Sequence, residues 1–346
     1  MTMASNDYAV VVGINYYSCL DPLNGPENDA LDFKKWLISP EGGALPTDGH
    51  TIQLVLSRDY EQVTKGDFIN QEPTLQKVLN AFDNIMEQVS TSPGRRLYIF
   101  MAGHGITPQN DMDEVALMMA NASLQRTYTI PGRKYVQWFR EAALFEEVVL
   151  FMDCCRDNVP YAPLHGPYWR TQVREDAVNV KCYLGFATKW SQKSQEIPFD
   201  VQGKKRYMGL FSHAVISILN SGRLTGNQLK ELVINYMQLL APDGLDQDPQ
   251  LIPDPSCDIV FSENAKPVEK SIVPFKISFN PDRVGTQMVI ARVEDGRMKN
   301  YCGPHIATEQ TWDVELPWGF YVIQERGSNE IQMLQAIGTE TQNVKF

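Results

Sequence analysis

The sequence lacks any apolar run of the ~18 residues that a membrane-spanning helix needs. Its opening, MTMASNDYAVVVGI, has no basic leader followed by a small-residue cleavage site, as a secretory signal would have. Positive charge is also scarce, since 31 Lys and Arg stand against 42 Asp and Glu, for a net charge of -11. These absences predict a cytoplasmic protein whose main activity is neither nucleic-acid nor membrane binding.

The spacing of the cysteines fits no metal site. The six cysteines are scattered as Cys19, Cys154, Cys155, Cys182, Cys257 and Cys302. They lack the paired spacing of a zinc site or a disulfide framework. A disulfide between the adjacent Cys154 and Cys155 would be strained, which disfavours a dithiol redox function. We therefore expect no metal and no cofactor.

The first two-thirds of the chain alternates strand-like and helix-like segments. YAVVVGI (8–14), LYIFMA (97–102) and VVLFM (148–152) are short apolar runs typical of buried parallel strands. Amphipathic spacing or capping residues predict helices at 25–37, after Thr74, and at 133–145, 209–220 and 226–240. This order predicts an α/β fold, with a mostly parallel sheet covered by helices on both faces.

The pattern changes near residue 272. From there the chain reads as short strands separated by Gly, Asn, Asp and Pro, which predicts a small β-sandwich or barrel. The polar segment 263–271 is the expected linker, so the predicted domains are 1–262 and 272–346. The β-domain has no recognisable catalytic set, and its aromatic residues are expected in its core. It is a candidate surface for a partner.

Three chemically capable residues follow predicted strands. Asp29 comes after the first strand in the first turn of a helix, His104 follows LYIFMA, and Cys155 follows VVLFM. Because ligands bind at the carboxyl ends of parallel strands, these side chains are expected to meet at one edge. A lone cysteine or histidine is more often structural, so the prediction rests on their convergence.

A thiol beside an imidazole is the minimal apparatus for nucleophilic acyl transfer. His104 can take the proton of Cys155 and later protonate the leaving amine. Glycines flank His104, which lets the backbone approach a substrate closely. The amides of Gly105 and Cys155 are the expected donors to the oxyanion of a tetrahedral intermediate.

The chain resembles the caspase-like cysteine peptidases, in particular the metacaspase-like branch found outside animals. In caspases the histidine lies about 50 residues before the cysteine, and here the separation is 51 residues. The resemblance implies Cys155, the third residue of its five-residue motif, as nucleophile and His104 as its partner. It covers 7–262 in matching order, through GINYY (13–17), NDA (28–30), AGHG (102–105), DCCRD (153–157), CYLGFAT (182–188) and GLFSHA (209–214).

The resemblance also implies a substrate preference. Acidic residues at Asp29 and Asp153 would line the pocket for the residue before the scissile bond. Two carboxylates favour Arg or Lys there and disfavour Asp. The expected partner is therefore a protein or peptide substrate with a basic residue at that position. The chain departs from many relatives at Pro26, Ala102 and Arg156.

Activation is less constrained by the sequence. The resemblance implies possible self-cleavage or activation by a partner, and basic residues suit cleavage in two loops, at Arg170, Arg174, Lys181, Lys204, Lys205 and Arg206. The acidic group at Asp111, Asp113 and Glu114 is interpreted as a solvated loop in preference to a calcium site. A catalytically silent caspase-like module for binding or assembly stays open as the alternative function.

Overall fold

The computed structural model describes residues 4–59, 71–123, 125–160, 162–170, 173–201, 204–241, 245–268, 272–294, 297–328, 331–336 and 341–346. The first part of the chain contains strands β1 (Asp7–Gly13), β2 (Ile52–Leu56), β3 (Gly94–Gly103), β4 (Gly105–Pro108), β5 (Ala116–Met118), β6 (Thr129–Pro131), β7 (Phe145–Cys154), β8 (Asp157–Val159), β9 (Lys181–Phe186), β10 (Glu196–Val201), β11 (Lys204–Gly209), β12 (Leu224–Thr225), β13 (Gln250–Ile252) and β14 (Val260–Phe261). Its helices are α1 (Pro26–Ile38), α2 (Leu75–Gln88), α3 (Gly132–Ala142), α4 (Leu210–Leu219) and α5 (Gly226–Leu240).

A six-stranded sheet in the order β13-β9-β7-β3-β1-β2 forms the centre of this part. Every neighbouring pair in it is parallel except β13 with β9. The predicted mostly parallel sheet is thus confirmed. Strand β5 lies outside this sheet and belongs to a separate four-stranded sheet with β4, β6 and β8.

Helices cover both faces of the central sheet, as the sequence predicts. On one face Phe33 of α1 stacks on Phe100 of β3, with ring centroids 4.6 Å apart, and α4 and α5 join the same core. On the other face α2 and α3 meet through Phe82 and Phe139. Among the described residues, no helix is long and apolar enough to cross a membrane.

Local signals account for the ends of two helices. Thr225 begins α5 with a capping box, in which its hydroxyl and the side chain of Gln228 bind each other's backbone N–H. Helix α3 ends at Ala142, three residues earlier than predicted, because Ala143 adopts a left-handed conformation with φ of 45°. The amphipathic pattern alone could not reveal that stop.

The C-terminal part is built from strands, as predicted. A four-stranded sheet and a three-stranded sheet enclose an apolar core that includes Trp312 and Tyr321. The four-stranded sheet also packs on α5, where Tyr236 stacks on Phe320 at 5.6 Å. The strands are β15 (Ile272–Ser278), β16 (Gln287–Glu294), β17 (Arg297–Ile306), β18 (Trp312–Pro317), β19 (Gly319–Glu325), β20 (Ile331–Ala336) and β21 (Gln342–Lys345).

The predicted domain boundaries stay predictions. Glu263, the first residue of the expected linker, forms ion pairs with Arg95 and Arg96 of β3. Residues 269–271 at the other end lie outside the described residues.

Candidate active site

A cavity of about 70 Å³ opens at the carboxyl edge of the central sheet. The register of β3 with β7 pairs Ala102 with Asp153 and Gly103 with Cys154, so the residues that follow both strands emerge side by side. The cavity is lined by Leu23, Pro26, Asp29, Gly103, His104, Asp153, Cys155, Ser194, Gln195, Glu196 and Gly209. The structure therefore brings together Asp29, His104, Asp153 and Cys155 from distant parts of the sequence.

His104 is held by the loop between β1 and α1. Its backbone N–H donates to the hydroxyl of Tyr17 at 2.8 Å, and its Nε2 lies 2.8 Å from the carbonyl oxygen of Asp21. A carbonyl oxygen can only accept, so Nε2 carries the hydrogen in this contact. In the neutral imidazole the lone pair is then on Nδ1, which is available as a base.

Cys155 is a half-buried free thiol. Burial raises its pKa to about 11. Its Sγ lies 3.7 Å from the carbonyl oxygen of Ser194, which is the acceptor for the thiol hydrogen. Forming a thiolate thus requires a base and the loss of this contact.

Its neighbour Cys154 is placed differently. It is 1% exposed, and its Sγ lies 3.9 Å from the carbonyl oxygen of Met101 in the interior. Burial raises its pKa well above the usual value, with Asp153 adding to the effect. Both cysteines are free thiols. Cys154 is therefore a core residue, and Cys155 is the thiol that reaches the cavity.

Gly105 lies directly against the segment that carries the thiol. A methyl group in its place would lie 2.6 Å from the carbonyl oxygen of Cys155, so only glycine fits this approach. The proposed role of the Gly105 and Cys155 amides as oxyanion donors stays a prediction.

Two buried carboxylates form one wall of the cavity. Asp29 is 2% exposed and accepts the backbone N–H of Gly209 at 3.0 Å and 3.1 Å on its two oxygens. Asp153 is 6% exposed and accepts both the N–H and the hydroxyl of Ser212, at 2.9 Å and 2.7 Å. The hydroxyl of Ser194 also donates to it. Their partners are thus amides and hydroxyls.

Burial raises the pKa of both acids in this wall. The pKa of Asp29 is raised well above its usual value, first by burial and then by the nearby Asp153. Burial also raises the pKa of Asp153, although its serine partners oppose the rise. A side chain at position 209 would collide with the Asp153 carboxylate. Gly209 therefore leaves the space that Asp153 needs beside Asp29.

Sequence reasoning missed a third carboxylate, Glu196. It accepts the backbone N–H groups of Asn24 at 3.1 Å and Gly25 at 2.9 Å, just before α1. Among the described residues, no Lys or Arg forms an ion pair with Asp29, Asp153 or Glu196. Glu196 lies in the polar segment that follows β9. That segment has no hydrophobic periodicity, so the sequence pattern could not predict where this side chain lies.

Arg156, the residue at which the motif departs from many relatives, is buried behind the thiol. It donates to the carbonyl oxygen of Met112 at 2.6 Å and to the side chain of Gln250 at 3.0 Å. Burial lowers its pKa. Its side chain links the segment that carries Cys155 to the 111–114 loop and to edge strand β13, which a small residue could not do.

The interpretation of 111–114 as a solvated loop is wrong for Glu114. This side chain is 1% exposed and accepts the N–H groups of Arg133 and Lys134 in the first turn of α3, at 2.8 Å and 3.1 Å. Burial raises its pKa to about 7. The described residues hold no cluster of three or more His, Cys, Asp or Glu that could bind a metal ion.

A family model and a known protein match parts of this chain. Residues 6–257 match the peptidase C14 family model described as a caspase domain. A probable protease from a Desulfuromonadales bacterium is 28% identical over 158 residues, which is 45% of this chain and 19% of the relative. The match thus spans about a fifth of the length of that relative.

Two solved structures are similar at low identity. A protein from Geobacter sulfurreducens has a TM-score of 0.44 and 15% identity, over 72% of this chain and 95% of that one. Caspase-1 from Spodoptera frugiperda has a TM-score of 0.46 and 11% identity, over 73% of this chain and 88% of that one.

Proposed function

The chain belongs to the caspase domain family, and on that premise we propose that it is a cysteine endopeptidase of the metacaspase-like branch. It cleaves polypeptides after Arg or Lys, with Cys155 as nucleophile and His104 as general base and acid. The observation that carries the proposal is the shared cavity, in which Cys155 and His104 meet the buried carboxylates of Asp29 and Asp153. The cytoplasmic location stays a prediction.

The proton path follows from the contacts of His104. Asp21 holds the hydrogen on Nε2, so Nδ1 can accept the proton of the Cys155 thiol. The thiolate sulfur then attacks the scissile carbonyl carbon, and the imidazolium returns the proton to the leaving amine. Water attacks the resulting thioester, with His104 as base, which releases the acid product and regenerates the thiol.

The high pKa of Cys155 fits a thiol that ionises only when substrate is bound. The carbonyl oxygen of Ser194 holds the thiol hydrogen in this structure. A substrate backbone N–H is a stronger donor than a thiol and competes for the same oxygen. Substrate binding would then free the thiol for transfer of its proton to His104.

The carboxylate wall accounts for the proposed specificity. A guanidinium offers five N–H donors in a planar fork, and the Asp29, Asp153 and Glu196 carboxylates offer acceptors without a cation among the described residues. Its charge also offsets the repulsion that raises the pKa of Asp29. A substrate aspartate would add a further negative charge to this buried wall, which is unfavourable.

A fluorogenic peptide panel tests the proposal. Matched peptides ending in Arg, Lys, citrulline or Asp are compared for the wild type and for Cys155→Ala, His104→Ala and Cys154→Ala. We expect cleavage after Arg and Lys only, lost in the Cys155 and His104 variants and retained in the Cys154 variant. Cleavage only after Asp would overturn the specificity, and no cleavage with no thiol labelling would favour a silent binding module.

A further inference from the structure

We propose that Tyr17 is a positioning residue for His104, which keeps the imidazole in the orientation that leaves Nδ1 free as a base. The inference rests on the proposed function. Tyr17 does not line the cavity, so its effect on the reaction is through the histidine.

The contact between the two residues has two parts. The Tyr17 hydroxyl accepts the backbone N–H of His104 at 2.8 Å, and the two rings meet edge to face with centroids 4.7 Å apart. His104 lies between β3 and β4, so its N–H is bound by this side chain in place of a strand partner. Tyr17 thus fixes both the main chain and the ring of His104.

The same loop supplies the second support of the imidazole. Asp21, four residues after Tyr17, provides the carbonyl oxygen for Nε2. The loop is itself anchored, because the N–H of Asn15 donates to Ser57 Oγ at 2.9 Å and its side chain accepts the N–H of Glu27 at 3.0 Å. Loss of the Tyr17 hydroxyl would free the backbone of His104 to shift relative to this anchored loop, which would weaken the contact of Nε2 with Asp21.

Gly103, the residue before His104, leaves room for the Tyr17 hydroxyl. Gly103 has φ of +155°, and a side chain there would collide with the Tyr17 hydroxyl. Burial raises the pKa of Tyr17 well above its usual value, so the hydroxyl stays neutral. It acts as a fixed hydrogen-bonding group and does not exchange protons with the reaction.

Tyr17→Phe tests the role, because it keeps the ring and removes the hydroxyl. We expect kcat on an arginyl peptide to fall about tenfold, as for loss of one hydrogen bond to a buried group, while KM stays unchanged. Tyr16→Phe, the same change at the half-buried neighbour, is the matched control and should keep the wild-type kcat. An unchanged kcat in Tyr17→Phe, or a loss that appears only in KM, overturns the proposal.

A readout without substrate separates this proposal from the proposed function. With labelled histidine, NMR at alkaline pH should show His104 as the Nε2–H tautomer in the wild type and as a mixture of tautomers in Tyr17→Phe. That result supports the positioning role even if no peptide is cleaved, in which case only the proposed function fails. A single unchanged tautomer in both proteins overturns the role.

A second variant covers the case in which Tyr17→Phe does not fold. Gly103→Ala keeps the hydroxyl but displaces it, so we expect the same fall in kcat and the same mixed tautomer. A wild-type kcat and tautomer in a folded Gly103→Ala protein would contradict the proposal.

Discussion

The buried acids at the two edges of the central sheet have different partners. At the amino edge, Asp7 is fully buried and pairs with Arg95, whose Nε lies 2.7 Å from it. Arg96 beside it is 2% exposed, with its Nε 2.6 Å from Glu147. At the carboxyl edge, the contacts of Asp29 are two bonds from the amide of Gly209.

This difference in partners suggests a structural role for the acids at the amino edge and a binding role for those at the carboxyl edge. A buried carboxylate is expensive unless it is paired, and a permanent arginine partner makes the amino edge self-sufficient. At the carboxyl edge the described residues supply amides and hydroxyls but no cation, which is consistent with the proposed binding of a basic substrate side chain there. Burial raises the pKa at both edges, of Asp7 as well as of Asp29 and Asp153. The position of Asp29 and Asp153 in a cleft, without a cationic partner among the described residues, is therefore what marks them as candidates for function.

The largest expected effect is that of Asp29→Asn on cleavage after arginine. Removing one of the buried charges that face the guanidinium should lower kcat/KM on an arginyl peptide by about 1,000-fold, or about 4 kcal/mol. Steady-state kinetics measure it, with a citrulline peptide as control, for which we expect a much smaller change. The amide oxygen can still accept the Gly209 N–H, so the thermal midpoint should not fall. Equal losses on both peptides would contradict the account.

Asp7→Asn is the counterpart at the other edge. It leaves Arg95 without its buried carboxylate, so we expect a loss of about 3 kcal/mol in the free energy of unfolding. Denaturant titration measures that loss, and kcat/KM on the arginyl peptide should stay at the wild-type level under conditions where both proteins are folded. A specific loss of activity in a stable variant would mean that the two edges are not separate.

The pH dependence of ligand binding sharpens the comparison. Burial raises the pKa of Asp29 and of Asp153 above the ordinary 3.8. Their folded forms bind protons more readily than the unfolded chain, so their contribution to stability is lost as pH rises from about that value through the raised pKa values. Arginine amide needs the charged carboxylates, so its affinity should rise over the same interval, by up to about tenfold per pH unit for each proton displaced.

Calorimetry at a series of pH values from about 4 upward measures this dependence. Asp29→Asn is the control and should flatten the curve, because one of the titrating groups is gone. An affinity that falls as pH rises would contradict the sign derived above.

The smallest expected effect concerns the self-cleavage that the family resemblance implies. Arg174 is exposed, and its N–H donates to the carbonyl oxygen of Glu141 near the end of α3, where the chain turns into β7. Strand β7 has ten residues and so separates that end from Cys155 by about 30 Å. Any cleavage after Arg174 should therefore occur between molecules. Processing of the Cys155→Ala protein by added wild type should speed up with enzyme concentration, and a concentration-independent rate for wild type alone would contradict this.

Much of the fold was readable from the sequence because its signals are local. The short apolar runs before Asp29, His104 and Cys155 predict buried strands, and parallel strands bring the residues after them to one edge. Helix α5 matches its predicted bounds of 226–240, since Thr225 and Gln228 form a cap within one turn.

The rest of the site depends on distant contacts that no local pattern reports. Glu196 reaches the cavity because β10 and β11 form a hairpin beside α1. Ser212 meets Asp153 across 59 residues of sequence. Tyr17 lies in the quoted GINYY segment, but its contact with His104 spans 87 residues. Only the strand register and the helix packing define these neighbours.

Covalent labelling most directly tests the central claim of the proposal. That claim is that Asp29 and Asp153, which have no cationic partner among the described residues, bind a basic substrate side chain beside Cys155. The protein is incubated with two peptidyl acyloxymethyl ketones that differ only in an Arg or an Asp before the reactive group, and the modified residue is identified by mass spectrometry. The account predicts that the arginyl probe alone modifies the wild type, at Cys155, and that Asp29→Asn slows this strongly. Preferential modification by the aspartyl probe, or modification at another cysteine, would contradict it.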